Sequence, residues 1–189
     1  MISAELEKIF QLLYSRARSQ HYEFISLEHL LLVMIEKDDD VRSVLENCHA
    51  DLKLLSQQLE ESIAENTPKI PDHLLDTAET QPTLGFQRVI QRAMVHTQSA
   101  GKSAVAPLDV LVALMGETDS HAVYFLKLQS VTRYEILRCI AHGAGFSEQS
   151  DSDGPNQDDE GNIENKGDAL ADYTVNLNAE VKAGRIDPL

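Results

Sequence analysis

The sequence predicts an all-α protein in which two pseudo-twofold-related four-helix units form one domain, followed by a disordered acidic linker. Apolar residues recur at intervals of three and four, which is typical of amphipathic helices. The same apolar pattern returns 80 positions later, so that Ile9 matches Val89 and Leu31 matches Leu111, and a fixed period indicates a repeated structural unit. Acidic residues then concentrate after residue 146. No window shows the β-branched alternation of a strand.

The first repeat, residues 1–64, is predicted to contain four helices, each with one apolar stripe. The stripes are Leu6, Ile9, Leu12, Leu13 and Ala17; Leu27, Leu30, Leu31, Met34 and Ile35; Val41, Val44, Leu45 and Cys48; and Leu52, Leu55, Leu59 and Ile63. Ser26 and Asp51 stand where N-caps of the second and fourth helices belong, and a cap of this kind contributes about 1 kcal/mol.

The second repeat, residues 82–143, is predicted to contain helices at 86–97, 108–115, 121–128 and 133–141. Pro107 suits a first helical position, and Thr132 with Glu135 has the spacing of a capping box before the last helix. Each repeat alone is too short to bury its apolar stripes comfortably, so we expect the two to pack together as one domain, residues 1–146. The joint between them, residues 65–82, contains three prolines, which interrupt helices.

Charge and composition exclude several functional classes. Residues 147–172 carry nine acids and one base, or −8 of the total −15, which leaves −7 for residues 1–146. A mildly negative domain repels a phosphate backbone, so we expect no nucleic-acid partner. The sequence has neither the signal-peptide pattern nor an apolar run long enough to span a membrane, so a soluble cytoplasmic protein is predicted. Cys48 and Cys139 lie on apolar helical faces, far apart in sequence, and are predicted to be buried free thiols.

No residue pattern indicates catalysis or a cofactor. Gly101-Lys102-Ser103 resembles the end of a phosphate-binding loop, but His96 stands where the first glycine is required, so a turn between helices is predicted. The seven histidines lack the spacing of a zinc site and are predicted to be exposed turn residues, with adventitious zinc at His21 as an open alternative. No serine or cysteine is marked as a nucleophile. We therefore expect neither catalytic residues nor metal or cofactor ligands.

Two patches have the character of a binding surface. Glu23 and Glu28 flank the turn between the first two helices, beside Tyr22, which is predicted to be exposed. The repeat places Ser103 and Leu108 at the positions of these two acids, so a partner would distinguish the repeats. The second patch is the 81–83 segment before the fifth helix, with Arg88 about one and a half turns further on. Solvated charge at a turn is the alternative explanation.

The chain continues into two further segments. Residues 147–169 form the predicted flexible acidic linker, because a stretch with so few apolar residues cannot offset its ordering entropy. Residues 170–189 are more apolar and are predicted to be the truncated start of another module.

Three runs of residues resemble a known family. These runs are FISLEHLLL at 24–32, TQPTLGFQRV at 80–89 and the terminal segment 170–189. The chain resembles the doubled Clp N-domain of the Hsp100/Clp unfoldases, and the QPTLGFQR run is most similar to the ClpA group, the ATPase subunits of the ClpAP protease. The resemblance covers essentially the whole chain and implies that residues 170–189 approach the first AAA+ module.

The resemblance implies a non-enzymatic docking domain of an ATP-dependent unfoldase that feeds the ClpP peptidase. Its expected partners are the ClpS adaptor, which delivers N-degron substrates, and protein substrates, with ClpP reached through the missing part of the parent. Adaptor-binding positions transferred to this sequence are Glu23, Glu28, Thr83, Arg88 and, more weakly, Arg133. ATP and Mg²⁺ are expected only in the missing AAA+ modules. A chaperone-like domain that binds unfolded polypeptide without an adaptor is the alternative.

Overall fold

The computed structural model describes residues 1–74 and 78–143, and within these ranges it contains eight α-helices in two sets of four. The first set is α1 (Ala4–Ser19), α2 (Leu27–Lys37), α3 (Asp39–Asn47) and α4 (Leu52–Asn66). The second set is α5 (Leu84–Ser99), α6 (Pro107–Leu114), α7 (His121–Leu128) and α8 (Arg133–Gly143). A 3₁₀ turn, Asp72–Leu74, lies between the sets. The all-α prediction is confirmed.

The helices begin where the capping residues predict. Asp51 accepts from the backbone N–H of Leu54 at 3.0 Å, and Thr132 exchanges hydrogen bonds with Glu135 as a capping box requires. Pro107 is the first residue of α6. The fifth helix starts two residues earlier than its predicted position 86, because Thr83 caps it by accepting from Phe86 N–H at 3.3 Å.

A single apolar core joins the two repeats. Helix α2 is buried almost all round, and in the second repeat α6 is its counterpart. Across the repeats, α2 packs on α6 and α7, α3 on α6 and α8, and α4 on α7. Because each repeat supplies walls of the other's core, the described residues of the two repeats pack as one body.

Two short parallel pairings were not predicted from the sequence. Strand β1 (Phe24–Ile25) pairs with β2 (Gln81–Pro82), and Ile2 forms a parallel bridge with Val105. The two pairings are equivalent under the repeat, since the segment before the first helix of each repeat pairs with the segment before the second helix of the other. Two hydrogen bonds match accordingly, Thr83 N–H to Ile25 O at 2.9 Å and Ser3 N–H to Val105 O at 3.0 Å. Two-residue strands carry no alternation that a sequence pattern could reveal.

The turns after equivalent helices also match. Helices α1 and α5 both end in a left-handed residue, His21 at φ 59° and Gly101 at φ 67°. After α3 and α7, His49 and Ser130 both have φ 62°. The Gly101-Lys102-Ser103 segment is thus the predicted turn between helices, and its Lys102 forms an ion pair with Asp109 at 2.7 Å.

Both cysteines are free and buried, as predicted. The linker 147–169 and the terminal segment 170–189 lie outside the described residues, as does part of the proline-containing joint.

Candidate functional site

Glu28 is the second residue of α2, and its carboxylate reaches across to the second repeat. Its Oε1 accepts hydrogen bonds from the Ser120 hydroxyl at 3.0 Å and from the backbone N–H of Ala122 at 3.1 Å. Both donors belong to the start of α7, which has no acidic residue in its own first turn. A carboxylate at a helix N-terminus satisfies free N–H groups and interacts favourably with the helix dipole. Glu28 therefore acts as an N-terminal cap for a helix of the other repeat.

The surroundings of Glu28 keep it ionised. Burial alone would raise the pKa of this carboxyl, but hydrogen bonds from Ser26, from backbone N–H groups and from Ser120 outweigh that effect and hold the pKa below its ordinary value. Burial without these donors would instead favour the neutral acid.

A second charged cluster lies on α5 and the loop that follows α6. Arg88 donates from Nε and Nη2 to Glu117 Oε2 at 3.1 and 2.6 Å. Arg92 donates to the other oxygen of the same carboxylate at 2.8 Å and to Ala113 O at 2.9 Å. The Arg88 hydrogen bond, assisted by Arg92, keeps the pKa of the Glu117 carboxyl below its usual range. The Arg88 side chain is 59% exposed while Glu117 is 11% exposed, so the cluster presents a cation to solvent.

These two clusters share one surface depression, which we call the second-repeat hollow. It has a volume of about 250 Å³. Its lining residues are Ser26, Leu27, Glu28, Thr83, Gly85, Arg88, Glu117, Asp119 and Ser120. Three of the five sequence-predicted positions, Glu28, Thr83 and Arg88, are therefore neighbours in space. The parallel β1–β2 pair brings them together, because the residues after β1 and after β2 leave it on the same side.

An equivalent depression, the first-repeat hollow, lies between α1 and the junction of α2 with α3. It has a volume of about 500 Å³. Its lining residues are Glu5, Lys8, Ile9, Leu12, Lys37, Asp38, Asp39 and Asp40. Lys8 occupies the position of Arg88, and Lys37 the position of Glu117. The two hollows thus share a backbone frame but carry different charges.

Comparisons with known proteins agree with this doubled architecture. A family model described as the Clp repeat (R) N-terminal domain matches residues 1–129. The chain belongs to this family. A ClpA homolog protein of Fuscovulum blasticum is 35% identical over 195 residues, which cover 99% of this chain and 24% of the relative. A chaperone protein ClpB of Bacillus cereus is 25% identical over 93% of the chain and 19% of its own length. The chain thus spans about a quarter or less of these relatives.

Solved structures share the Clp N-domain fold at low sequence identity. The N-terminal domain of Hsp104 from Candida albicans superposes with a TM-score of 0.63 at 16% identity, covering 76% of this chain and 91% of that one. A ClpV N-domain solved in complex with a VipB peptide gives a TM-score of 0.57 at 16% identity, covering 75% and 85%. At these identities the similarity establishes the fold.

Two predicted positions of this Clp N-domain lie elsewhere. Glu23 precedes β1 and lines a separate depression of about 700 Å³ with Phe24, Ile70 and Gln81 among its walls. Its backbone binds both sides of the joint between the repeats, since its N–H donates to Pro68 O at 2.9 Å and its C=O accepts from Gln81 N–H at 3.0 Å. Arg133 is the exposed first residue of α8 and is not among the residues that line the second-repeat hollow.

Two exposure predictions near the site are wrong. Tyr22 is only 7% exposed, because its ring packs edge-on against His29 with the centroids 5.0 Å apart. His29 is 5% exposed rather than a solvated turn histidine, and its Nδ1 lies 2.9 Å from the Ser26 hydroxyl. Burial lowers the pKa of His29 to about 4 despite the neighbouring Glu28 charge, so the imidazole is neutral at pH 7.

The sequence reasoning missed Glu117 and Ser120. Arg88 and Arg92 are four residues apart on α5, so they lie on one face of the helix. Two arginines on one face indicate that an acidic residue packs against them. The position of that partner depends on the fold.

In the part of the chain that the structure describes, no group of three or more His, Cys, Asp or Glu side chains is arranged to hold a metal ion. Among the helices of residues 1–74 and 78–143, none is both long and apolar enough to cross a bilayer.

Proposed function

We propose that this Clp N-domain docks the ClpS adaptor at the second-repeat hollow, as part of a cytoplasmic ClpA-like ATPase that unfolds proteins for the ClpP peptidase. The observation that carries the proposal is the grouping of Glu28, Thr83 and Arg88 around one depression. ATP and Mg²⁺ would act in the further modules of the longer relatives, and N-degron substrates would arrive with the adaptor.

Arg88 is the group of this hollow that is best suited to bind a partner. More than half of its side chain is exposed while its guanidinium is held by Glu117. A guanidinium that is already oriented loses little rotamer entropy on binding, and arginines are frequent hot spots of protein interfaces. The carboxylate of Glu28, in contrast, already accepts hydrogen bonds from Ser120 and Ala122, and the hydroxyl of Thr83 already accepts one from the Phe86 N–H. We infer that these two hold the hollow in shape and that Arg88 makes the main contact, with Glu23 and Arg133 at most peripheral.

Calorimetric titration of the chain with purified ClpS tests the proposal. Arg88→Ala should weaken binding by about tenfold or more, the usual cost of a hot-spot arginine. Lys8→Ala is the matched control, because Lys8 is the equivalent cation of the first-repeat hollow and should leave the affinity unchanged. Glu28→Gln, which keeps an acceptor for Ser120 and Ala122, should weaken binding less than Arg88→Ala.

Two results would contradict this assignment. If wild-type chain releases no heat with ClpS, the adaptor function is wrong. If Lys8→Ala weakens binding as much as Arg88→Ala, the contact does not depend on the second-repeat hollow.

The depression beside Glu23 supports a second candidate, direct binding of unfolded polypeptide. Its walls include Phe24, Ile70 and Pro71, and it borders the β1–β2 pair. Crosslinking a permanently unfolded model substrate to the chain without adaptor would detect this activity. A Phe24→Ser variant should lose the crosslink while keeping ClpS binding, and retention of the crosslink would exclude this depression as the binding surface.

A further inference from the structure

The two cysteines of the chain face each other across the boundary between the repeats. Cys48 follows α3 as its C-cap, and Cys139 lies on α8. Although they are 91 positions apart, their Sγ atoms lie 3.2 Å apart, with the Cys48 thiol donating to the Cys139 sulfur. The chain contains two cysteines in all, so each thiol has one possible intramolecular partner.

The two sulfur atoms are close enough to form a covalent bond after a small movement. A disulfide bond is about 2.0 Å long, so the sulfurs would need to approach by about 1.2 Å. Cys48 directly follows α3 and Cys139 lies on α8, and these two helices are in direct contact. Each residue is 9% exposed, which leaves an edge of the pair open to a small reagent.

We propose that Cys48 and Cys139 form a redox modification site, at which a small-molecule disulfide of the glutathione type oxidises the pair to a disulfide that links the two repeats. The Cys139 thiolate attacks one sulfur of the reagent, which stays bonded to Cys139 as a mixed disulfide, while the other sulfur of the reagent leaves as one small thiol. The Cys48 thiolate then attacks Cys139 Sγ, which forms the Sγ–Sγ bond and releases the second small thiol. The reagent gains two electrons, and the two protons given up by the cysteines end on the two released thiols.

The order of these attacks follows from the contact itself, in which the Cys48 thiol donates its hydrogen and the Cys139 sulfur accepts it. Burial, followed by the contact with Cys139, raises the pKa of the Cys48 thiol to about 12. A thiol that is hard to deprotonate is a poor first nucleophile. In the mixed disulfide the Cys139 sulfur is already bonded, and Cys48 then acts at contact distance.

The product would clamp α3 of the first repeat to α8 of the second. Closing a loop of this length removes much of the conformational entropy of the unfolded chain. We therefore expect the oxidised chain to unfold at a temperature roughly 5–15 °C higher than the reduced chain, in a reversible, thiol-dependent manner.

Intact-mass analysis of the full chain after incubation with oxidised glutathione tests the proposal. The wild-type chain should lose about 2 Da, the mass of two hydrogen atoms, and a non-reducing peptide map should contain the 48–139 crosslink. The Cys48→Ser and Cys139→Ser variants are matched controls. Each keeps one thiol and should show no rise in melting temperature. Cys48→Ser should gain the mass of one glutathione, and Cys139→Ser should gain it more slowly, because burial raises the pKa of the remaining Cys48 thiol. If serine lowers the helical content measured by circular dichroism, the alanine variants at the same positions serve as the controls.

Three results would overturn the proposal. The first is a wild-type chain that gains glutathione on both thiols without forming the crosslink. The second is disulfide-linked dimers in place of the intramolecular bond. The third is a wild-type mass that does not change under conditions in which iodoacetamide alkylates the urea-unfolded chain.

Discussion

The starts of α3 and α7 are equivalent positions in the two repeats, yet they are stabilised by different means. Helix α3 is capped locally by Asp38, whose Oδ1 accepts from Val41 N–H at 2.8 Å, with Asp39 and Asp40 in its first turn. Helix α7 has the neutral cap Ser120 and receives its carboxylate from Glu28 of the first repeat.

The difference in charge has a structural consequence. At the position of Glu28 the second repeat has Leu108, whose apolar side chain cannot accept a hydrogen bond from the start of α3. The side-chain cap therefore runs only from the first repeat to the second, whereas the backbone strand pairings between the repeats are symmetric. A duplicated core can keep its symmetry while its polar contacts diverge, because the core depends on apolar volume and the polar contacts depend on single residues. Glu28, which lines the second-repeat hollow, thus also joins the two repeats.

The largest effect is expected for Glu28→Leu, which gives the first repeat the residue of the second. The change removes the carboxylate that accepts from Ser120 and Ala122, although the Ala122 N–H keeps the Ser120 hydroxyl as an acceptor at 3.1 Å. Loss of the charged acceptor at the α7 N-terminus, with the Ser120 hydroxyl left without its acceptor, should cost about 2 kcal/mol in the free energy of unfolding. Urea denaturation followed by circular dichroism measures the loss.

Glu23→Leu is the control for this prediction. The Glu23 side chain is exposed and holds its segment through backbone bonds, so the change should stay within about 0.5 kcal/mol. Equal losses from the two variants would show that the remote cap does not stabilise the domain.

An effect of intermediate size is expected at the turns that end α1 and α5, where the two repeats have the same backbone but different residues. Gly101→Ala places a Cβ in a left-handed conformation and should destabilise the domain by about 1 kcal/mol. No atom lies within 4 Å of that Cβ, so the cost is conformational alone. His21→Gly relieves the same conformation in the first repeat and should stabilise by roughly 0.5 kcal/mol.

Thermal melts measure both changes: the melting temperature should fall for Gly101→Ala and rise for His21→Gly. If Gly101→Ala and His21→Gly shift the melting temperature in the same direction, the two turns are not conformational equivalents.

Much of the fold followed from the sequence because its signals are local. The apolar spacing and the Thr132–Glu135 capping box act within a few residues, the repeat shows the same local pattern twice, and the structure confirms the helices they predict. The burial of Tyr22 escaped prediction because it depends on a packing partner, His29, and not on the polar neighbours that made the turn look exposed.

The site was only partly predictable for a related reason. The sequence places Glu28 in one patch and Thr83 with Arg88 in another, but the grouping of the two patches depends on a parallel pair of two-residue strands that leaves no sequence pattern. The acceptor role of Glu28 depends on Ser120, which is 92 positions away. The Cys48–Cys139 contact has the same origin, since it joins helices of different repeats. Contacts across the repeat boundary are therefore what the sequence alone does not reveal.

The smallest effect is expected in the pH dependence of stability. The pKa of the local cap, Asp38, and the pKa of the remote cap, Glu28, are shifted in opposite directions. The folded pKa of Glu28 lies below its ordinary value, so its contribution is present above the unfolded pKa and is lost as the pH falls through the folded pKa. The folded pKa of Asp38 lies above its ordinary value, chiefly because of burial and in spite of its bond to Val41. Protonation therefore favours the folded state at Asp38, and that advantage disappears as the pH rises through the folded pKa.

Neutral isosteres at these two positions should consequently change the acid limb of the stability curve in opposite directions. Glu28→Gln should lose stability less steeply than the wild-type chain on acidification from about pH 6 to pH 3, and Asp38→Asn more steeply. Both replacements keep a side-chain oxygen as acceptor, so the comparison isolates the titration from the loss of a cap. Urea denaturation at several pH values measures the slopes. Slopes that change in the same direction would mean that the two helix starts titrate alike, and the distinction between a locally and a remotely capped repeat would then rest on hydrogen bonding and not on charge.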